Sequence, residues 1–144
     1  MIFSKTCEYA IRAMIYVAQH TRSGQRVGIK DIAKGIDSPE HFIAKILQDL
    51  SRKRIVQSAK GPNGGFYLNA DSLNLTLADV VKTVDGDELF TGCGLGLKQC
   101  SETHPCPIHH EFKQIRKDIQ CLLEGAKLGE FTDALEKSLT FLKR

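Results

Sequence analysis

Cys93, Cys100, Cys106 and His109 fall in one short stretch with the spacing Cys-x6-Cys-x5-Cys-x2-His. Thiolates and imidazole are ligands for soft and borderline metals, iron–sulfur clusters and zinc above all. Gly92, Gly94, Gly96, Pro105 and Pro107 share the stretch, and that density of glycine and proline predicts a loop. A helix is expected to start with Pro107 as its first residue, a favoured position for proline. Cys106 would then stand at the partly positive end of that helix, which lowers a thiol pKa and favours metal binding. His109 follows Cys106 by three residues and His110 by four, so on a helical path either can turn toward the same point. Without a metal, the same residues would make a reduced, exposed loop of redox-labile thiols.

The elements that must position this loop read as follows. Ser4 is placed to cap a first helix whose stripe is Tyr9, Ala10, Ala13, Met14 and Val17. Ile29, Ile32, Ala33 and Ile36 mark a short second helix, which breaks between Gly35 and Asp37. Ser38 as cap and Pro39 as first residue open a third, with Phe42, Ile43, Ile46, Leu47 and Leu50 inward and Glu40, His41, Ala44, Lys45 and Gln48 outward. Two short helices joined this way outline a helix-turn-helix. Ile55-Val56 and Phe66-Tyr67-Leu68 predict two strands around Lys60-Gly61-Pro62-Asn63-Gly64-Gly65, where Asn-Gly is a hairpin signal. A hairpin directly after a helix-turn-helix is a wing. Thr76-x-x-Asp79 predicts a capping box opening a helix that ends near Gly86.

Beyond the cysteine loop, the helix from Pro107 to about Glu124 carries Ile108, Phe112, Ile115, Ile119 and Leu122 at spacings of four and three. That heptad stripe suits either a partner helix or the chain's own core. A last amphipathic helix is expected through Phe131, Leu135, Leu139 and Leu142. The predicted fold is mainly α with a small β-hairpin wing: a winged helix-turn-helix plus a long dimerisation helix. Three regions are expected: 1–75 for DNA binding, 76–106 for a linking helix and sensor loop, and 107–144 for dimerisation and a C-terminal helix.

At 144 residues the chain has room for a real hydrophobic core. No segment is apolar enough to span a bilayer and none reads as a signal peptide, so a cytoplasmic protein is expected. Five cysteines, an odd number, suit metal or redox use in a reducing compartment better than disulfides. Cys7 and Cys121 lie in helical patterns as small fillers. The net charge of +3 is uneven: residues 1–75 hold eleven Lys and Arg against six Asp and Glu, and residues 76–144 hold nine against eleven. The basic half is therefore the one to meet phosphates. Ser38, Glu40, His41, Lys45 and Gln48 would read bases, Lys53 and Arg54 would meet the backbone, and Lys60 and Asn63 would serve the wing.

Taken together, these residues resemble the Rrf-two-type family of winged-helix regulators, in its cluster-binding, IscR- and NsrR-like branch. The likeness rests on Phe3-Ser4-Lys5-Thr6-Cys7-Glu8-Tyr9-Ala10-Ile11-Arg12, on Asp31-Ile32-Ala33, on Gly61-Pro62-Asn63-Gly64-Gly65-Phe66-Tyr67-Leu68, and on the cysteine loop. It implies a homodimer that binds double-stranded operator DNA, with the helix from Pro107 at the dimer interface. It also implies an iron–sulfur cluster on Cys93, Cys100 and Cys106, [2Fe–2S] favoured over [4Fe–4S], with His109 as fourth ligand. Glu8 of the partner subunit is the alternative fourth ligand, although Glu8 and Arg12 also stand at the spacing of a surface ion pair. Such a protein would be a transcriptional regulator sensing redox state, nitric oxide or iron–sulfur status. A zinc-stabilised DNA-binding regulator and a small iron–sulfur electron carrier are the rivals. Neither phosphate loop, nucleophile elbow nor metalloprotease helix is present, so an enzyme is not expected.

Overall fold

The computed structural model describes residues 2–144. Helix α1 (Lys5–Arg22) runs through its centre. Ser4 caps it as expected, accepting from the Cys7 N–H at 3.0 Å. The Ser4 N–H and hydroxyl are in turn held by Asp85 at 3.0 and 2.5 Å. Ala10, Ala13, Met14 and Val17 are wholly buried along one face.

Against that face pack α2 (Ile29–Gly35) and α3 (Glu40–Arg52). The approach of α2 is close: a Cβ on Gly35 would lie 2.1 Å from the Tyr16 ring. Asp37 makes the turn with φ of 54°, a conformation that Asp tolerates better than most residues. Ser38 does not cap α3. Pro39 keeps an extended ψ of 131° and takes the N-cap position, so the helix starts one residue later and Ser38 stands too early to cap it. A second difference is Phe42, expected inward yet 49% exposed. Its ring lies between Tyr9 and His41, at centroid distances of 6.3 and 4.4 Å.

The wing consists of β1 (Gln57–Ala59) paired antiparallel with β2 (Gly65–Tyr67), in the register Ala59 with Gly65. Ile55 and Val56 are buried ahead of β1 rather than within it. The turn is not built on Asn-Gly. Gly64 N–H bonds the Gly61 carbonyl at 2.9 Å, placing Pro62 at the second turn position, where its fixed φ fits. Positive φ falls on Gly61 and Gly65 instead. Gly65 is required twice over, since its φ is 136° and a Cβ would lie 2.9 Å from the Val27 carbonyl oxygen. Val27 joins the hairpin through an isolated bridge, exchanging both backbone bonds with Phe66 at 3.0 and 2.7 Å.

A single turn, α4 (Ala70–Leu73), precedes α5 (Leu77–Asp85), whose Thr76–Asp79 capping box is complete. Another turn, α6 (Glu88–Thr91), stands between α5 and the cysteine loop. Helix α7 (His109–Gly125) leads to a 3-10 turn (Leu128–Phe131) and to α8 (Thr132–Glu136). The expected C-terminal helix stops early. Ser138 adopts φ of 55° and the Leu139 N–H returns to the Ala134 carbonyl at 2.8 Å, a left-handed cap that ends a helix. Leu139 is consequently 72% exposed, whereas Phe131, Leu135 and Leu142 pack on the core of α1–α3.

A smaller cluster gathers Cys7, Ala78, Val81, Phe90 and Leu123. Burial, then the neighbouring Asp85 carboxylate, pushes the Cys7 thiol up to about 12, which suits a neutral core filler. Cys121, expected to be at least half-buried, is exposed on α7. No helix among the described residues is long and apolar enough to cross a membrane.

Leu128, fully buried beneath α1, tests how the C-terminal segment is anchored. Leu128→Ala should cost about 2–5 kcal/mol in urea unfolding, while Leu139→Ala should stay within about 0.5 kcal/mol.

Candidate metal centre and nucleic-acid interface

The loop between α6 and α7 folds back on the first turns of α7. Cys100 Sγ lies 3.4 Å from His109 Nδ1. Cys93 faces Cys106, and its thiol pKa is lowered by the N–H groups of Leu95 and Leu97 first, then by the Cys106 thiol and the Gly96 N–H. Gly96 turns the chain at φ of 76°, its N–H bonding the Cys93 carbonyl at 3.0 Å. Of the sequence-marked donors, Cys100 and His109 are in direct contact. Among the described residues the three cysteines do not converge with His109 on one point, and the group of ligand atoms within 4.8 Å is Glu102, His109 and His110. The three cysteines are half-buried, and His109 is only 4% exposed.

Helix α7 starts two residues later than expected. Pro107 and Ile108 form a turn in which the Cys106 carbonyl accepts the His109 N–H at 3.0 Å. This places His109, rather than Pro107, in the first turn of the helix and aims its ring into the loop.

Two further clamps were not legible as site residues. Arg116 on α7 donates to the Gly92 carbonyl at 2.5 Å, and both its terminal nitrogens lie 3.5 Å from Cys100 Sγ. The only sequence hint was its position two turns beyond His109. Glu102 lies 3.3 Å from His109 Nε2 and is bridged to Lys113. Lys113, then His109, holds the Glu102 carboxyl below its usual range. Ligand atoms of Glu102, His109 and His110 come within 4.8 Å of one another. The loop also packs tightly on the helix: a Cβ on Gly94 would stand 2.8 Å from the Phe112 ring.

Glu8 sits in the first turn of α1 and pairs with Lys5 at 3.4 Å, not with Arg12. Arg12 instead donates to the carbonyls of Ile36 and Leu142 at 2.8 and 3.4 Å, because its long side chain reaches the end of α2.

The α7 stripe divides. Ile108, Ile115 and Leu122, seven residues apart, are 40, 54 and 69% exposed. Phe112 and Ile119 are half-buried, Phe112 against Gly94 and Ile119 on the smaller core cluster.

On α3, Glu40, His41, Lys45 and Gln48 are all exposed, as are Lys60 and Asn63 on the wing and Arg54 beyond α3. The Ser38 hydroxyl is shielded from solvent and has no hydrogen-bond partner. Lys53 is engaged by Asp49 and by the Thr83 carbonyl, both at 3.2 Å. Arg26, which motif reading passed over, lies 5.0 Å above the Tyr67 ring and lines a groove at the wing with Gln25 and Asn63. Its signal in the sequence was only its place in the basic half.

Comparisons with known proteins agree with this architecture. The Rrf2 family, described as an iron-dependent transcriptional regulator, matches residues 3–134. A candidate HTH-type transcriptional regulator of Aquifex aeolicus (strain VF5) is 33% identical over 141 residues, covering 96% of each chain. The T. potens IscR structure shares the fold with a TM-score of 0.74 at 19% identity, covering 95% of this chain and 90% of that one. CymR, the global cysteine regulator of B. subtilis, does so with 0.72 at 20% identity, covering 91 and 95%. With a two-helix reader, a wing behind it and a family match across nearly the whole chain, this protein belongs to the Rrf2 family of winged-helix transcriptional regulators, DNA-binding proteins rather than enzymes.

Proposed function

We propose that this regulator holds an iron–sulfur cluster, [2Fe–2S] ahead of [4Fe–4S], on Cys93, Cys100, Cys106 and His109. The observation that carries the proposal is the 3.4 Å approach of Cys100 Sγ to His109 Nδ1, with Cys93 and Cys106 half-buried on the same folded-back loop. A two-iron cluster takes two protein ligands at each iron, and the Cys100–His109 pair suits one of them. The chemistry of the donors fits as well. The Leu95 and Leu97 N–H groups favour the Cys93 thiolate that metal binding needs, and His109 Nδ1 already faces the Cys100 sulfur. A zinc site would gather four donors around one ion, and the three cysteines do not converge with His109 on one point. Glu8 of the partner subunit remains the alternative fourth ligand.

When bound, the cluster supplies a redox couple and a centre that oxidants or nitric oxide attack. The protein's own residues convert its state into geometry. Arg116 and Phe112 tie the loop to α7, so ordering of the loop bears on that helix. The exposed seven-residue repeat of Ile108, Ile115 and Leu122 supports a homodimer through α7. A change in the loop then shifts the relation between two winged units. On this reading residues 1–75 bind operator DNA in the cytoplasm, residues 76–106 sense, and residues 107–144 join the two copies. Glu40, His41, Lys45 and Gln48 meet base edges in the major groove, with Ser38 at the start of the helix. Lys53 and Arg54 meet phosphates, and Lys60 and Asn63 reach the flanking minor groove or backbone from the wing.

Anaerobic purification with iron and sulfide analysis tests the cofactor. Alanine at Cys93, Cys100 or Cys106 should abolish the visible absorption and the iron, while Cys7→Ala and Cys121→Ala keep both. His109→Ala should alter the spectrum without emptying the site. Unchanged iron in the three loop variants would refute the assignment. Ile115→Asp should give a monomer in sedimentation, because it sets an unpaired charge in an apolar interface. Operator binding at fixed salt tests the reader. His41→Ala and Lys45→Ala should change sequence preference at a cost of ~1–3 kcal/mol per lost base contact. Arg54→Ala should weaken all sequences alike and lower the salt slope by about one.

A further inference from the structure

His109 is held from both sides of its ring. Nδ1 faces Cys100 Sγ at 3.4 Å. Nε2 faces the Glu102 carboxylate at 3.3 Å, a charge contact that lacks the alignment of a hydrogen bond. The ring itself is only 2% exposed, so water does not compete for Nε2. The other Glu102 oxygen is taken by Lys113, one helical turn beyond His109. An ionised carboxylate only accepts, so its place beside Nε2 favours the tautomer with the proton on that nitrogen. The lone pair then lies on Nδ1, toward the cysteine. A carboxylate set behind a ligating histidine commonly fixes ring and tautomer in this way.

We infer that Glu102, anchored by Lys113, is a positioning residue that makes His109 an Nδ1 donor to the metal centre. The inference rests on the reading of His109 as a ligand. It also accounts for the grouping of Glu102, His109 and His110 without a second metal ion. The Lys113 ammonium already neutralises the carboxylate and would repel a dication at that spot.

Long-range proton–nitrogen NMR of the metal-free protein reads the tautomer without any cluster. The expected result is a proton on His109 Nε2 in the wild type. Glu102→Gln should keep that pattern, because its amide oxygen still accepts, and Glu102→Ala should mix the tautomers. In reconstituted protein reduced with dithionite, Glu102→Ala should change the histidine nitrogen hyperfine coupling. Glu102→Gln should retain the coupling yet raise the reduction potential, since one negative charge near the reduced cluster is lost. An unprotonated Nε2 in the wild type, or an Ala variant with unchanged tautomer and coupling, would overturn the inference. A wild-type protein that takes up no iron would sink the cofactor reading and the ligand role of His109 with it, whereas a failed tautomer measurement in a protein that does take up iron would sink the role of Glu102 alone.

Discussion

Burial of α1 against two core clusters is the constraint from which the rest of the architecture follows. One face, through Ala10, Ala13, Met14 and Val17, closes the core with α2 and α3. At the N-terminal end of the same helix Cys7 joins Ala78 and Val81 of α5, Phe90 of α6 and Leu123 of α7. Ile11 packs against both clusters. Small residues let neighbours approach closely, and each large buried side chain contributes about 1.5–3 kcal/mol. The reader helices and the helix that carries the cysteine loop are therefore referenced to the same rigid element.

That shared element gives the loop a physical route to α3. Arg116 joins Cys100 and the Gly92 carbonyl to α7, and Ile119 and Leu123 join α7 to the smaller core. Asp85 at the end of α5 holds the start of α1. From α1, packed side chains continue to Ile43 and Leu47 of α3. Protein interiors packed to this density transmit displacement instead of absorbing it. The same continuity is used at the C-terminus, where Leu128 and Leu135 return to α1 and Arg12 bonds the Leu142 carbonyl.

Charge separates the two halves as packing joins them. The exposed cations of α3 and the wing belong to the basic half, whereas the loop uses its charges locally, Glu102 with Lys113 and Arg116 at Cys100. A strongly basic loop would compete for phosphates. Here the loop carries one lysine, Lys98, and the α7 cations beside it, Lys113 and Arg116, are engaged at Glu102 and Cys100.

Local chemistry made much of this legible in the sequence. The Thr76–Asp79 box and the Ser4 cap depend on neighbours three residues away, and the donor spacing from Cys93 to His109 is itself a local pattern. Helical periodicity found the buried faces of α1 and most of α3. Tertiary structure decided what local patterns leave degenerate. Phe42 has the period of a core residue, yet it stacks outside because Tyr9 and His41 offer it a surface. Arg12 stands at ion-pair spacing from Glu8, yet it reaches the end of α2, where carbonyls lack helical partners. The wing turn moved from Asn63 to Gly61–Gly64 because pairing with Val27 demands Gly65. Glu102, Lys113 and Arg116 became part of the site only when the loop folded back, since a surface charge acquires its role from what long-range packing sets beside it.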